Sequence, residues 1–434
     1  MRRFVAASLA AVAAWGMQGA GGVEGAQMER LPSGLSLVVL ENPSNEVAAA
    51  TALIRGGASA DPEGKAGLAA LAARLLIKGT STRSAAEIAL STESIGASLD
   101  ADAEDDYIEV SVQSIADTFP KALEIFADVL ARPTFPQEEF EKEKALLLSE
   151  LRRRRDDKFS RTYDLFLATL YAGHPYAWPS LGTEKTVAGL TRDDVERFWR
   201  EHFKTGGMVV GACTPAPAAE VSSAVAAALA ALPAGSPAPL PEPAPLRLDG
   251  PVECREATQF EQSFIILGFP SPSILETDDY VAMKVASVAL GGGMSSRLFQ
   301  SLRDREGLGY AVGAACPTRR LTGHLMCYIG VKSDQVERAK EIILEEIARL
   351  RTEEIPAEEL ERAKRYAVGT YAMQHERNLK QAWYPAWYEA LGVGYKLDAA
   401  YPDLVAKVTA SDVLRVAEHW LTDYALAVVE PETR

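Results

Sequence analysis

Along the first half of the chain, alternating and short continuous apolar runs mark strands at roughly 34–41, 46–55, 106–113 and 207–212. Stretches of helical period lie between them and after them. The segment Pro233 to Pro251, PAGSPAPLPEPAPLRLDGP, has no period and interrupts the pattern near mid-chain, as an extended Pro-rich linker does. Strand patterns resume at about 252–257, 261–269, 308–316 and 323–331, with helices filling most of the remainder. Strands interleaved with helices in this way predict an α+β chain.

The halves also share residues. PQEEFEKEK (Pro136 to Lys144) and PAEELERAK (Pro356 to Lys364) agree at the proline, three glutamates and the last lysine, and lie 220 positions apart. Each follows a strand and an amphipathic helix, FPKALEIFADVLA in one half and VERAKEIILEEIARL in the other. Proline followed by two acids is a helix start, because proline fits the first turn and acids favour the positive end. Order, spacing and preceding elements together predict an internal duplication. The expected organisation is residues 27–232 as a first domain, 233–251 as linker and 252–434 as a second domain, each a mainly antiparallel sheet with helices packed on it.

Composition narrows the class. With 434 residues, 47% apolar and 24% charged, the chain is an ordinary globular protein too long for one core. A net charge of −15 argues against a nucleic-acid partner, which needs a clustered basic surface. Met1-Arg2-Arg3, the short run FVAASLAAVAAWG and a small-residue tail read as a secretory signal over residues 1–26, with cleavage after Gly22 or Ala26. That run is shorter than the ~20 residues a spanning helix needs, so an exported, periplasmic protein without a membrane anchor is expected. Cys213, Cys254, Cys316 and Cys327 fit no zinc spacing. They read as small buried apolar residues, although Cys316 and Cys327 flank a probable hairpin turn and a pairing across it stays open.

Three stretches carry a more specific resemblance: LGGGMSSRLFQSLRDREGLGYAV, FEKEKALLLSELRRRRDD and GHPYAWPSLGTEKTVAGLTRDDVERFWREHF. With them and GLAALAARLLIKGT (Gly67 to Thr80), the chain resembles the M16, or pitrilysin/insulinase-type, zinc metallopeptidases, and among them chains of the mitochondrial-processing type. In active members the helix at 67–80 reads His-x-x-Glu-His, two histidines for zinc and a glutamate as general base. The corresponding residues here are Ala70, Ala73 and Arg74, so the resemblance implies a chain without its own metal. The five histidines, His174, His202, His324, His375 and His419, fall at no ligand spacing. The third zinc ligand of the family maps onto Glu150 and a supporting glutamate onto Glu143. Carboxylates left together without a cation repel, and Arg74 is expected to supply the charge that zinc would have supplied.

The resemblance further implies that Arg303 and Tyr310 hold a peptide carbonyl and stabilise its developing negative charge, as a pair from the second domain does in active relatives. Gly291, Gly292 and Gly293 are a possible substrate contact, or a plain turn opening the next helix. Asp100, Asp102, Glu104, Asp105 and Asp106 lie on GASLDADAEDDYIEV, the counterpart of the strand on which relatives dock extended peptides; they read equally as a guard on a strand edge. The combined expectation is a noncatalytic subunit that carries no cofactor and completes the site of a related, zinc-bearing chain with an intact His-x-x-Glu-His. The alternatives are a peptide-binding or scaffold protein outside any proteolytic complex, and a homodimeric hydrolase, for which no nucleophile–base pattern stands out.

Overall fold

The computed structural model describes residues 25–243 and 245–432, so the signal segment lies outside the described residues. Six strands form the first sheet: β1 (Gln27–Arg30), β2 (Ser36–Glu41), β3 (Val47–Arg55), β4 (Ser98–Ala103), β5 (Tyr107–Ile115) and β6 (Met208–Thr214). Their order is β1-β2-β6-β3-β5-β4, with β2 and β6 parallel and the other neighbours antiparallel. Five strands form the second: β7 (Val252–Thr258), β8 (Ser263–Ser271), β9 (Val312–Ala315), β10 (Gly323–Val331) and β11 (Ala425–Pro431). They run β7-β11-β8-β10-β9, again with one parallel pair, β7 and β11, at the same place. Removing β1 makes the two topologies identical, which is the structural form of the duplication.

The repeated motif starts equivalent helices, Gln137–Arg155 and Ala357–Gln374. Pro136 and Pro356 each cap rather than begin the helix, both with φ near −55° and ψ near 140°. Four strands escape the alternation pattern or shift against it, one of them β4, whose residues are half-buried or exposed up to Asp102. β11 is apolar and buried from Ala425 to Val429, and such a short continuous run does not declare its period. β1 is a mostly exposed edge strand. β9 spans only Val312–Ala315, so Tyr310 precedes the strand instead of lying on it.

The halves exchange helices. Lys158–Leu170, from the first half, packs on β7, β8 and β11 of the second sheet, where Phe166, Leu167 and Leu170 share a core with Phe264, Ile266 and Val429. Asn378–Leu391, from the second half, lies on β2, β3 and β6. Its backbone comes so close that a Cβ at Gly211 would stand 2.0 Å from the Ala382 carbonyl oxygen. Each core therefore needs both halves of the chain. Further ties cross the same junction. Asp105 forms a largely covered ion pair with Arg319, while Asp106 accepts the Arg320 backbone N–H (2.9 Å) and the Tyr176 hydroxyl. Asp105 and Asp106 of the β4–β5 turn are thus fixtures between halves, while Glu104 of the turn and Asp100 and Asp102 of the edge strand are exposed. The linker is pinned at its start to the first half, where Thr205 N–H and Gly206 N–H donate to Pro233 and Gly235 (3.0 and 2.9 Å).

Candidate functional site

The helix Leu68–Leu76 starts from a fixed point. The Asp61 carboxylate accepts N–H groups from Gly67 (2.7 Å), Leu68 (3.1 Å) and Ala69 (2.8 Å), using donors that a helix start leaves free. Burial pushes Asp61 up to about 7, against the pull of those donors. Eight of the nine residues of the helix are buried, Ala70 and Ala73 among them at 1% and 0% exposure. Their methyl groups belong to the first-half core and offer no donor to a metal or a substrate.

Arg74, the exception, points its guanidinium at the neighbouring helix Gln137–Arg155, where Nη2 meets Glu150 Oε2 at 2.6 Å. One turn later Lys78 Nζ meets Glu143 Oε1 at 2.9 Å. Each acid thus has its own cation, and Lys78, not Arg74, is the partner of Glu143. Lys78 lies just past the end of the helix, two residues after Leu76. The signal for it in the sequence is a second cation four positions after Arg74 against two acids seven positions apart. The donor set does not fit a divalent metal: one histidine position is alanine and the other an arginine, and both carboxylates are engaged by cations. Among the described residues no group of three His, Cys, Asp or Glu is placed to hold a metal ion.

The histidines lie elsewhere, and four of the five are buried. His324 bonds the Tyr171 hydroxyl (3.0 Å) and His375 pairs with Asp398 (2.8 Å). Burial lowers His174 to about 4 and holds His324 well below the usual imidazole range. The four cysteines are free thiols, and Cys327 faces Ala314, not Cys316, across the β9–β10 pairing.

In the second half, Arg303 sits on a π-helix, Phe299–Arg305, a winding often found at functional positions. The chain leaves it through Gly307 (φ 64°), whose N–H donates to the Arg303 carbonyl at 3.1 Å. This turn brings Tyr310 back over the helix. The Arg303 guanidinium carbon stands 4.7 Å from the Phe299 ring centre and 5.2 Å from that of Tyr310. Stacking of this kind orients a guanidinium while leaving its N–H fork free. Tyr310 is 86% exposed. The sequence pair is therefore one physical unit, a cation between two rings, with a phenol open to solvent.

The glycine run ends a helix instead of opening one. Gly291 is the last residue of Thr277–Gly291 and Gly292 its cap. A Cβ at Gly291 would lie 2.0 Å from the Ala314 backbone nitrogen on β9, so packing alone demands glycine there. Gly292 and Gly293 line a hollow of about 240 Å³ with Met294, Glu359 and Tyr366.

Comparison with known proteins fits this geometry. The model of the insulinase family, peptidase family M16, matches residues 37–184, and that of the peptidase M16 inactive domain matches residues 189–366. A zinc protease of Streptomyces coelicolor, itself uncharacterized, is 30% identical over 80% of this chain and 76% of its own length. The chain belongs to the M16 peptidase family. An uncharacterized zinc protease of Rickettsia bellii is 25% identical over 94% of this M16 chain and 97% of its own. Among solved structures, a peptidase M16 inactive domain from Pseudomonas fluorescens superposes with a TM-score of 0.87 at 20% identity, covering 94% of this chain and 98% of that one. A protease from Helicobacter pylori gives the same TM-score at 21% identity, covering 94% and 99%. At such identities the structures establish the fold. No helix among the described residues is long and apolar enough to cross a membrane.

Proposed function

We propose that this M16 chain is the noncatalytic subunit of an exported heterodimeric zinc peptidase. It binds an extended peptide and presents Arg303 and Tyr310 to an active site whose zinc and attacking water come from a related chain with an intact His-x-x-Glu-His. The observation that carries the reading is a contrast within the molecule. The metal positions are closed by buried Ala70 and by Arg74 held on Glu150, and the general-base position by buried Ala73. Arg303, in comparison, makes no ion pair among the described residues and stands beside an exposed phenol. A guanidinium fork and a phenol are suited to a peptide carbonyl whose oxygen gains charge. Neither can generate a nucleophile, hence the second chain. Export is inferred from the basic and apolar start of the sequence. Gly292 and Gly293 remain possible peptide contacts, whereas Gly291 is accounted for by packing.

The test is purification of the tagged chain from its native compartment, with zinc content, co-purifying chains and hydrolysis of a quenched peptide pool measured together. The expected result is a stoichiometric partner of similar size, with zinc and turnover that the isolated chain lacks. A chain that purifies alone, without metal or turnover, overturns the proposal in favour of a peptide-binding or scaffold protein.

A further inference from the structure

The duplication gives the first-half helix pair, Leu68–Leu76 against Gln137–Arg155, a counterpart in the second half, Thr277–Gly291 against Ala357–Gln374. Each first member lies between equivalent strands, after β3 or β8 and before β4 or β9. Each second member starts from the repeated motif, which sets Thr370 at the position of Glu150. In the first half this place is filled by the pairs Arg74–Glu150 and Lys78–Glu143. In the second half it is a cavity of about 300 Å³. That volume is at the lower end of the range that holds small ligands.

The cavity has a definite chemistry. Its walls include Tyr280, Tyr366, Tyr371, Tyr384, Trp387 and Tyr401, so they are chiefly aromatic. Most of the phenols are already engaged: Tyr280 with Thr318 (2.7 Å), Tyr371 with Asp398 and Tyr384 with Gln374. The walls consequently offer ring faces and edges more than hydroxyls. Lys284 is the one charged residue of the lining, and no carboxylate lines the cavity. Its ammonium donates to the Cys316 carbonyl at 2.5 Å and lies 5.2 Å from the centre of the Tyr280 ring. An ammonium has three donors, so two remain.

We infer that this cavity binds an aromatic or branched apolar body ending in one carboxylate. The rings take the body, and Lys284 takes the charge in a site with no opposing acid. A phosphate or a dianion calls for several donors or an arginine fork, and the lining has a single lysine and no arginine. Two sources share the chemistry, a free aryl or branched carboxylic acid and the C-terminal residue of a peptide. The site is distinct from Arg303 and Tyr310, and the inference does not depend on a zinc-bearing partner.

The experiment uses the isolated full chain, with calorimetry and Trp fluorescence as readouts. The probes are 3-phenylpropionate, its amide, a hexapeptide ending in phenylalanine with a free carboxylate, and the same peptide amidated. At least one acid is expected to bind saturably, and its amide at least tenfold more weakly. Lys284→Met should bring the acid down to the level of the amide. Thr370→Phe, which fills the cavity from its wall, should abolish binding of both, and Arg74→Met should leave binding unchanged. Thermal melting identifies any variant that fails to fold, and Thr370→Phe carries the test if Lys284→Met does. Binding of the peptide acid but not phenylpropionate assigns the source to a peptide end, and the reverse assigns it to a free acid. The inference is overturned if neither acid saturates at millimolar concentration, if acid and amide bind alike, or if Lys284→Met keeps the preference. None of these outcomes touches the peptidase-subunit reading, which is tested by turnover of a complex.

Discussion

Arg74 and Arg303 both stand on helices, and they are used in opposite ways. Arg74 is bound to Glu150 at 2.6 Å. Arg303 is held by the faces of Phe299 and Tyr310, at 4.7 and 5.2 Å. A carboxylate partner consumes the donors of a guanidinium, whereas ring faces fix its plane and leave the donors available. The donors of the first arginine are spent on Glu150. The second has its donors free for a ligand, and this difference separates the two halves functionally although their folds repeat.

The largest effect that can break this contrast is on turnover. In a complex with a zinc-bearing partner, Arg303→Ala and Tyr310→Phe are each expected to lower peptide hydrolysis about 10²-fold, the usual scale for a lost transition-state donor. Assembly should be intact, because substitutions at exposed positions such as Tyr310 normally change stability by no more than about 0.5 kcal/mol. Steady-state kinetics with size-exclusion analysis of the same samples checks both parts. Undiminished turnover would remove the assigned role.

Gly291→Ala comes next. The added methyl would collide with the Ala314 nitrogen at 2.0 Å, in strand backbone that cannot step aside cheaply. A loss of about 2 kcal/mol in denaturant unfolding is expected, within the range for overpacked sites. Gly293→Ala meets nothing nearer than Tyr366 at 3.7 Å and should be nearly neutral. Equal effects at the two positions would mean that the run is not set by the approach of β9.

How much of this was readable in the chain depends on the range of the forces involved. The α+β class and the duplication were legible because periodicity and helix-start signals are local. That Ala70 and Arg74 stand where the family motif has its histidines was legible because a motif fixes its spacing. The exchanged helices were not legible: the apolar stripe of Lys158–Leu170 says that the helix must be covered, not by which sheet. Asp105 and Asp106 looked like surface charge on an edge strand, because their partners Arg319 and Arg320 are more than two hundred positions away. The pairing of Lys78 with Glu143 was not legible because Lys78 lies past the helix end at Leu76, outside the motif positions.

Acid should weaken the junction of the halves through its buried histidines. Burial holds His174 at about 4 in the folded protein, below the ordinary 6.5 of an imidazole, and lowers His324 further. The unfolded chain therefore takes up protons first as the pH falls. The stabilisation is complete above about pH 6.5 and is lost progressively toward pH 4. Melting temperatures at pH 7.5 and 5 should differ in this direction, and His174→Gln should reduce the difference. An unchanged profile in that variant would exclude His174 as the cause.

The smallest predicted effect tests the charge-replacement argument most directly. Glu143 keeps 8% of its side-chain exposure and its partner Lys78 31%, while Glu150 keeps 37% and Arg74 22%. An acid stranded in the drier place costs more than one that water can reach. Lys78→Met is thus expected to cost about 1 kcal/mol, since the half-exposed lysine already admits some solvent, and Arg74→Met about 0.5 kcal/mol, the scale of exposed pairs. Glu150→Gln combined with Arg74→Met should restore most of the smaller loss, because the charge that needed a partner is then gone as well. A double-mutant cycle on chemical denaturation resolves this coupling. Strict additivity would show that Arg74 contributes by packing along its stem, and that the acid of the former metal site does not depend on it for a counter-charge.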